Sequence, residues 1–588
     1  MNGLATCLNV SSSVKNRRWT FRYDLGQLDE FSLKSGCSAL QSALLLGRGV
    51  DADDVNAFLD PKLKNSLVDP SKFQDMDLAA KIILNCIEEA QKITIFSDYD
   101  VDGGTSAAQL IRWARTLDFK CDLYVPDRIK EGFGPSKQAF DKIKEDGADL
   151  VVTLDCGAAA YDALEHADKI GLDVIVIDHH QMDEVRPPAR ALVNPNRQDD
   201  LSGQGHLAAA GVTFMLLVAL QREARQRGHA TDFDLKSLLG LTALGTICDV
   251  VPLKGLNRAI VKQGLLVLSA NHNMGIQALA DISNIEPPFT TYHAGFVLGP
   301  RINAGGRIGS SEMGARLLST EDSQLAYSHA AELDRMNLQR RQMQDTIYEE
   351  AVQKAQSRLD DPVIIIAMED WHAGIIGIVA GRLKDRSSKP VIVIAIDNMG
   401  EAPLAKGSGR SIKGVDLGGA LTAAMKSKLL LSGGGHAMAG GLSMDPDKID
   451  DFRDFMCERL QADVETAILN DTSKVDFVLN LSAVDENLME VVDTLGPYGA
   501  GNPEPVFAIA DLRVRYAKRL KGGHVRFTLS DAGGKSLSGI CFRADESGLG
   551  EALLMAGDTV FHALGRVKRN LWQGRASIDF HLQDLAPV

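Results

Sequence analysis

The segment 93–104 constrains the fold of this chain more than any other stretch. Its apolar, β-branched first half predicts a buried parallel strand, and Asp98, Asp100 and Asp102 follow at spacings of two. Open α/β sheets place their sites at the carboxyl ends of such strands. Three carboxylates this close repel one another, and a bound cation relieves that repulsion. The alternative is an acidic turn in a solvated loop; the buried strand and the following glycines favour a hard cation such as Mg²⁺ or Mn²⁺.

The same pattern, an apolar strand followed by polar side chains, occurs twice more. The strand over 149–154 precedes Asp155, and the strand over 173–177 precedes Asp178, His179 and His180. This repetition predicts a doubly wound sheet with a polar cluster on its carboxyl edge. Asp249 closes a helix-like apolar segment that begins near residue 235. A lone aspartate of this kind is usually a cap, but beside the other clusters metal ligation is the favoured interpretation.

Five side chains could together hold two cations: Asp100, Asp102, Asp155, His179 and Asp249. Asp155 is the expected bridging ligand because its strand is predicted to lie between the others. Neighbouring residues of a strand point to opposite faces, so we predict His179 as a ligand and His180 as a substrate-facing residue, unless the strand has already ended. Asp178 is expected to orient an imidazole or the neighbouring loop. Asp98 and His180 complete the predicted catalytic set.

This set predicts hydrolysis of a phosphoester. Two cations about 4 Å apart activate a water and stabilise the attacking and leaving oxygens. The sequence contains no G-x-S-x-G elbow and no G-x-x-x-x-G-K-[ST] loop, which disfavours serine acyl chemistry and ATP hydrolysis. Cleavage polarity and strand preference do not follow from these residues.

Composition limits the class of protein. The 588 residues are too many for one core and predict roughly three to five domains. The 45% hydrophobic and 24% charged residues are typical of a soluble globular protein. No apolar run reaches the ~20 residues of a membrane span, and the start lacks a signal pattern. Eight scattered cysteines without a C-x-x-C pair predict reduced thiols in a cytoplasm. The net charge of −15 argues against nucleic acid, but local patches decide binding.

Glycine-rich segments suggest anion-binding loops. Segment 298–307 places glycines beside Arg301 and Arg307, which suits close approach to an anion, although a turn with solvated arginines fits equally well. Segments 406–411 and 432–441 are both glycine-rich and flanked by Arg410 and His436, and their N–H groups are predicted to cradle phosphates. Between these regions, residues 315–361 contain no glycine or proline and predict one long helix that joins two halves.

Beyond about residue 470, short alternating strands with glycine-rich turns predict a small β-barrel compatible with an OB-fold. Segment 512–526 carries no acidic residue and forms a predicted basic face for nucleic acid: Arg513, Arg515, Lys518, Arg519, Lys521 and Arg526. Tyr516, Phe527 and Phe542 are candidates for base stacking, and the two phenylalanines fit a barrel core equally well.

These motifs resemble the DHH phosphoesterase superfamily and, within it, the RecJ family of exonucleases. The matching segments are S-D-Y-D-V-D-G (97–103), T-L-D-C-G (153–157), D-H-H (178–180), G-T-I-C-D-V-V-P (245–252), G-P-R-I-N-A (299–304), H-A-G-I-I-G (372–377), G-G-G-H-A (433–437) and P-Y-G-A-G-N-P-E-P (497–505). The resemblance implies an α/β fold: an N-terminal helical segment (1–70), a DHH catalytic domain (71–314), a connecting helix (315–361), a DHH-associated domain (362–465) and an OB-fold domain (466–588).

The resemblance also implies an activity. It is the Mn²⁺- or Mg²⁺-dependent 5′→3′ degradation of single-stranded DNA to 5′-phosphomononucleotides, in recombination and repair. Positions implied to bind substrate are Arg128, Arg301, Asn303, Arg307, His372, Ser408, Arg410, Gly434, Gly435 and His436. Candidate protein partners are a helicase and a single-strand-binding protein.

Other functions remain open on the sequence alone. One is a small-substrate DHH phosphodiesterase that cleaves oligonucleotides or cyclic dinucleotides, although such chains generally lack the C-terminal barrel. Another is a non-catalytic DNA-binding replication scaffold, which should show eroded ligands, whereas all five are present here. A third is an inorganic pyrophosphatase, which needs no DNA groove.

Overall fold

A computed structural model describes residues 4–128, 131–229, 232–270, 273–398, 403–572 and 575–588. The chain forms two compact units. The central unit comprises residues 60–342 and 497–503, and the flanking unit comprises residues 1–59, 343–496 and 504–588. The domain boundaries given above stay predictions. Among the described residues, no helix combines the length and apolarity needed to traverse a bilayer.

The secondary structure alternates between the two classes through most of the chain. The strands are β1 (Arg18–Phe21), β2 (Ile93–Ser97), β3 (Asp122–Tyr124), β4 (Leu150–Leu154), β5 (Asp173–Ile177), β6 (Ala191–Val193), β7 (Ile364–Glu369), β8 (Val391–Asp397), β9 (Leu404–Arg410), β10 (Ser432–His436), β11 (Ala439–Met444), β12 (Thr472–Val475), β13 (Phe477–Leu479), β14 (Phe507–Leu520), β15 (His524–Ser530), β16 (Ser536–Cys541), β17 (Val560–Trp572) and β18 (Arg575–Pro587). The helices are α1 (Leu28–Ser35), α2 (Ala39–Leu46), α3 (Val55–Leu59), α4 (Leu63–Ser66), α5 (Met76–Glu88), α6 (Val101–Arg115), α7 (Lys137–Glu145), α8 (Tyr161–Lys169), α9 (Ala209–Gln226), α10 (Leu239–Cys248), α11 (Gly255–Ser269), α12 (Met274–Ile282), α13 (Gly299–Ile308), α14 (Met313–Ser319), α15 (Ser323–Ala355), α16 (Ile376–Ser387), α17 (Leu417–Lys426), α18 (Ile449–Leu469), α19 (Glu486–Thr494) and α20 (Leu549–Leu554).

The central unit is built on a parallel sheet with strand order β3-β2-β4-β5-β6. Alternate side chains of β2 enter different cores: Ile93 and Ile95 pack with α5, α6 and α9, whereas Phe96 packs with α7 and α8 on the opposite face. Both faces are therefore covered, as the uninterrupted apolar strands require. The predicted position of the Asp155 strand, between those of the other acidic clusters, is confirmed, because β4 lies between β2 and β5.

The helix after the acidic segment spans Val101–Arg115, and Asp100 caps its first turn. The long helix predicted over 315–361 is interrupted before α15. The carboxylate of Asp322 accepts the N–H groups of Gln324 and Leu325, which starts a new helix.

The first sheet of the flanking unit has the order β10-β11-β9-β8-β7. The prediction that these two glycine-rich segments are loops is wrong: they form β9, β10 and β11, and ladder hydrogen bonds engage β9 and β11 on both sides. Their binding of phosphate stays a prediction. The glycines instead allow close packing, since a Cβ on Gly409 would lie 2.7 Å from Leu417 and one on Gly440 would lie 2.4 Å from Leu421.

The C-terminal part of the flanking unit is a closed barrel. Strands follow the order β14-β15-β16-β18-β17, and β17 pairs again with β14, which confirms the predicted OB-type barrel. The N-terminal segment is more than a helical appendage, because β1 pairs in parallel with β12. Trp19 is fully buried in a core that also contains Val475 of β12, and its Nε1–H donates a hydrogen bond to Asp584.

A buried ion-pair cluster also holds the N-terminal segment within the flanking unit. The fully buried carboxylate of Asp476 lies 3.1 Å from Nε of Arg22 and 3.1 Å from Nη1 of Arg48, and it accepts the N–H of Val506 at 2.9 Å. Loss of a carboxylate at such a position leaves buried cations without their partner.

We therefore expect Asp476→Ala to lower the free energy of unfolding of the flanking unit by about 3–5 kcal/mol. Urea-induced unfolding measures the change. The matched control is Asp53→Ala, which breaks the exposed Lys34–Asp53 pair and should cost less than about 1 kcal/mol. Equal effects of the two substitutions would contradict the structural role of the cluster.

Candidate functional site

The acidic and imidazole side chains singled out in the sequence converge at the carboxyl edge of the central sheet. Three groups of side chains have potential ligand atoms within 4.8 Å of one another: Asp98, Asp100 and Asp155; Asp102, His179 and Asp249; and Asp155, His179 and His180. They share Asp155 and His179, so they form one cluster. Four segments, which together span more than a hundred residues of sequence, supply it through the ends of β2, β4 and β5 and of α10.

The three aspartates after β2 occupy three different local environments. Asp98 directly follows the strand and is buried. Asp100 caps α6, and its Oδ1 accepts the N–H groups of Asp102 at 2.9 Å and Gly103 at 3.1 Å. Asp102 lies in the first turn of α6 and accepts the N–H groups at the start of α9 at 2.7 and 2.9 Å. The prediction of all three at the strand tip therefore holds only for Asp98.

Close approach of α10 depends on a glycine. A Cβ on Gly245 would lie 2.7 Å from Oδ1 of Asp102, so only glycine lets this helix pass the buried carboxylate. Asp249 is the C-cap of the same helix. The packing of α10 thus sets the distance of 3.6 Å between Oδ2 of Asp249 and Nε2 of His179.

Asp155 adopts a strained backbone conformation. Its φ is 63°, in the left-handed region that costs most residues free energy and that occurs at functional sites. Its N–H donates to the carbonyl of Ile177 at 3.0 Å, which holds the turn at the end of β4. In this position its Oδ1 lies 3.2 Å from Nε2 of His179.

The two histidines follow the end of β5, so the rule of opposite strand faces does not separate them. Their ring centroids lie 4.6 Å apart. Oδ1 of Asp178 accepts the N–H of His179 at 2.7 Å and bonds Nδ1 of His180 at 2.7 Å, and Oδ2 accepts the N–H of Ala158 at 2.9 Å. Asp178 therefore orients both the imidazole of His180 and the loop.

Sequence analysis missed two asparagines that fix this loop. The side-chain amide of Asn194 donates to the carbonyl of His180 at 2.8 Å, and that of Asn196 donates to the carbonyl of His179. Both follow β6. The available signal was an N-P-N triplet after an apolar strand, at the sheet edge where the other polar clusters occur.

Electrostatics assign different protonation states to the two histidines. Burial and the neighbouring His180 lower the pKa of His179 to about 4, while its ring bonds the Leu207 main chain. Burial alone would lower the pKa of His180, but the hydrogen bond and charge of Asp178 raise it to about 9. Burial likewise opposes ionisation of Asp178, yet His180 lowers its pKa to about 2. A neutral His179 can coordinate a metal ion, and a protonated His180 can donate a proton.

The cluster fits a divalent cation on the chemistry of its atoms. Burial, and then repulsion by neighbouring carboxylates, raises the pKa of Asp98, Asp102 and Asp155 well above its ordinary value, and that of Asp249 to about 7. Oδ1 of Asp98, Oδ1 of Asp155 and Nε2 of His179 are buried without a hydrogen-bond partner among the described residues. A cation coordinated by these atoms would satisfy them and relieve the repulsion.

The predicted substrate-binding arginines of the central unit differ in their environments. Arg128 stacks over the ring of Tyr99 at 5.0 Å. Burial, with the nearby Arg128, lowers the pKa of Arg307 to about 10. Arg301 is paired with Asp334 at 2.8 Å. The glycine-rich segment around these residues is helix α13 rather than an anion-binding turn, and Oδ1 of Asn303 is buried without a hydrogen-bond partner among the described residues.

In the flanking unit, Ser408 and Arg410 come together. A Cβ on Gly377 would lie 2.8 Å from Oγ of Ser408 and 3.2 Å from Nη2 of Arg410. Arg410 lines a cavity of about 640 Å³ together with Arg382 and Arg543, which sequence analysis missed because these arginines belong to distant segments.

The remaining predicted residues of this sheet lie elsewhere. Gly434, Gly435 and His436 lie on the edge strand β10, which β11 separates from β9. His372 follows β7, and its Nδ1 accepts the N–H of Gly374 at 3.1 Å.

The basic face of the barrel is present, and several of its cations have protein partners. Arg513 donates to the carbonyl of Asp558, Arg515 donates to Oγ of Ser530 at 2.7 Å, and Arg519 lies 3.1 Å from Asp545. Lys518 and Lys521 are exposed.

The structure settles the aromatic alternatives. Phe527 is in the core, whereas Tyr516 is 51% and Phe542 is 53% exposed. His524 and His581 contact Phe542 edge-on at 5.4 and 5.2 Å. Phe542 is thus held on the barrel surface against two histidine rings.

The pKa shifts predict how pH changes the stability of the metal-free protein. The pKa of Asp249 is about 7 in the folded protein, above its ordinary value of 3.8. The folded state therefore binds this proton more tightly than the unfolded state does, so the free energy of unfolding must fall as the pH rises. The contribution of Asp249 between pH 6 and 8 is about 1.4 kcal/mol. The shifts of His179 and His180 act in opposite directions across this window.

Urea unfolding in EDTA at pH 6 and pH 8 measures this dependence. Asp249→Asn should reduce the decrease in unfolding free energy between pH 6 and pH 8 by about 1.4 kcal/mol. Saturating Mn²⁺ should stabilise the parent protein more at pH 8 than at pH 6. A variant that keeps the parent's full pH dependence would contradict the assignment.

Three family models of known proteins match parts of this chain. The models match residues 92–246 (DHH family, N-terminal domain), 360–462 (DHHA1 domain) and 475–584 (RecJ OB domain).

The chain is 32% identical to the single-stranded-DNA-specific exonuclease RecJ of Bacillus subtilis, over 96% of this chain and 71% of that protein. It is 34% identical to RecJ of Salmonella typhimurium, over 87% and 90%. The crystal structure of Thermus thermophilus RecJ with Mn²⁺ superimposes with a TM-score of 0.77 at 26% identity, over 96% and 78% of the two chains. A Mg²⁺ complex of that protein also matches, with a TM-score of 0.71 at 25% identity, over 97% and 78%. This chain therefore belongs to the RecJ family of single-stranded-DNA-specific exonucleases.

Proposed function

We propose that this chain hydrolyses single-stranded DNA from its 5′ end, releases 5′-phosphomononucleotides, and acts in recombination and repair. The observation that carries the proposal is the cluster of carboxylates around His179, combined with membership of the RecJ family. Mn²⁺ or Mg²⁺ is the cofactor, as in the Thermus thermophilus complexes. When bound, two such ions activate water and stabilise the developing charge on the phosphate.

We assign the metal ligands to Asp100, Asp102, Asp155, His179 and Asp249. Asp155 and His179 each belong to two of the three candidate ligand groups. This suits Asp155 as a shared ligand and His179 as a neutral imidazole fixed in position. Asp98 belongs to the candidate group that also contains Asp100 and Asp155. The hydrogen bonds at the start of α9 hold Asp102 in place, so its carboxylate does not reorganise when substrate binds.

His180 is assigned to the substrate. It is half-buried, its pKa is raised to about 9 by Asp178, and its Nδ1 is committed to that carboxylate. The protonated ring can therefore present Nε2–H to a phosphate oxygen or protonate a leaving oxygen. Exposed Phe133 contacts this ring edge-on at 6.1 Å and is placed to pack against a terminal nucleotide.

The strand-binding residues fall in both units. Arg128, Arg301, Asn303 and Arg307 belong to the central unit, and His372, Ser408, Arg410, Gly434, Gly435 and His436 belong to the flanking unit. We add Arg382, Arg543 and Phe542 to the second set, because Arg382 and Arg543 share a cavity with Arg410 and Phe542 precedes Arg543. Within the predicted domains, catalysis is assigned to 71–314, and strand contacts are assigned to residues of 71–314, of 362–465 and of the barrel domain, 466–588.

The cellular setting is part of the same proposal. All eight cysteines are free thiols, which supports a reducing compartment such as the cytoplasm. A nuclease that requires unpaired strands needs a source of them, which supports a helicase and a single-strand-binding protein as partners. Retention of every predicted ligand disfavours a non-catalytic scaffold.

Loss of the shared ligand should abolish cleavage without loss of binding. We expect Asp155→Asn to lower the rate of nucleotide release at least about 10³-fold, because no other described carboxylate occupies its position. Single-strand affinity, measured by gel shift, should be unchanged or higher, since a negative charge is lost. 5′- and 3′-labelled single and double strands with Mn²⁺ or Mg²⁺ measure polarity and strand preference. Asp162→Asn, on α8, is the control. Retained turnover in Asp155→Asn would contradict its assignment as the shared ligand, whereas no turnover in the parent would favour a scaffold.

The barrel contact gives a separate prediction. Phe542→Ala should weaken single-strand binding by about 1–3 kcal/mol with the salt slope unchanged, because stacking involves no counterion. Arg543→Gln should lower the salt slope by about 1. Met555→Ala, which removes another exposed apolar side chain of the barrel, is the matched control. Fluorescence anisotropy with labelled oligonucleotides measures both quantities, and an unchanged affinity of Phe542→Ala would remove this residue from the interface.

A further inference from the structure

The flanking unit contains a second large cavity, of about 760 Å³, that no proposed step uses. Five separate parts of the chain line it: the residues just before β1, the end of α16, the turn after β9, Met438 between β10 and β11, and the end of α18 with β12. Sites for small molecules commonly have volumes of about 300–1,000 Å³. The space therefore suits a molecule rather than a single ion.

The cavity carries an excess of cations. Five basic side chains line it, of which Arg17 is paired with Asp471 at 2.8 Å and Lys384 with Asp385 at 2.6 Å. The other three, Lys15, Lys413 and Lys474, have no carboxylate within 4.0 Å among the described residues. Nζ of Lys474 instead donates to Oγ1 of Thr20 at 3.0 Å. With five basic and three acidic side chains in its wall, the cavity carries an excess of two positive charges, and Lys413 is exposed to solvent.

The electrostatic cost of this arrangement is visible at two of the lysines. Burial lowers the pKa of Lys474, and the nearby cations of Lys413, Arg22 and Arg18 lower it further. Burial also lowers the pKa of Lys15, although Asp584 opposes that effect. An anion between these groups would reverse the repulsion.

We propose that this cavity binds a phosphorylated small molecule of nucleotide size, with its phosphate held by Lys413 and Lys474. Hydroxyl and amide side chains in the wall, including those of Asn16, Ser388 and Thr466, can hydrogen-bond a sugar or base. Three carboxylates also line the cavity, at Asp385, Asp463 and Asp471. They would repel a continuous phosphodiester backbone but leave room for one phosphate group, which favours a mononucleotide over a DNA strand. Occupancy would join the N-terminal segment to β12 and to the turn after β9, and would stabilise the flanking unit by mass action.

The test uses the full chain in EDTA and dAMP as the probe. Isothermal titration and ³¹P NMR measure binding, with deoxyadenosine as the phosphate-free comparison. We expect two binding events in the parent, one at the substrate-binding residues and one at the cavity. Lys413→Gln/Lys474→Gln should weaken one event at least about tenfold, whereas Arg410→Gln should affect only the other. Lys426→Gln, on the exposed end of α17, should change neither. The rise in unfolding temperature with dAMP should shrink in the double variant and, through the other event, in Arg410→Gln, but not in Lys426→Gln.

Three results would overturn the proposal. One is dAMP binding in the double variant that equals the parent's. Another is a single binding event that Arg410→Gln abolishes, which would place all affinity at the substrate-binding residues. The third is a loss of single-strand affinity in the double variant with dAMP binding unchanged, which would make the cavity part of the DNA path. Because catalysis is absent in EDTA, a failed nuclease test of Asp155→Asn would leave these outcomes interpretable.

Discussion

Repulsion among buried carboxylates is the constraint on which the rest of the central unit depends. Asp98, Asp102 and Asp155 are all buried within one small volume, and a fold that brings them together must supply compensation. The start of α9 donates two N–H groups to Asp102. The ion pair of Asp178 with His180 fixes the loop beside Asp155. The remaining unsatisfied oxygens are those that a divalent cation would take. The same arrangement that weakens the metal-free protein thus prepares it for metal.

Sequence periodicity was sufficient to predict the central sheet, because strands buried on both faces must be continuously apolar and the chain marks each strand end with a polar residue. It predicted the convergence of Asp155 and His179 for the same reason, whereas Asp249 ends a helix and was assigned to the cluster because the other acidic groups were present. It could not predict that Asp100 would cap a helix while Asp102 lay inside it, since that depends on whether the strand ends before or after Asp98. The supporting Asn194 and Asn196 were missed because their side chains act through main-chain groups of the loop.

The structural role of glycine was the feature that sequence predicted least well. At positions 406–411 and 432–441 it was interpreted as loop, but the structure uses it to bring helix α17 and strand side chains against a sheet. In α13 it again serves packing, since a Cβ on Gly306 would lie 2.6 Å from Tyr99. Local sequence does not distinguish a glycine needed for backbone freedom from one needed for space. That distinction depends on which residue lies opposite, and for Gly306 the opposing residue, Tyr99, comes from a distant segment.

The pairing of β1 with β12 joins residues 18–21 to residues 472–475, and Ser13 reaches Asp584. During synthesis the first strand leaves the ribosome hundreds of residues before its partner exists. The central sheet, whose strand pairs are all within a span of about a hundred residues, can form in the meantime. The N-terminal segment must wait with Trp19 exposed, and chaperone dependence of this protein should therefore centre on its first fifty residues rather than on its catalytic half.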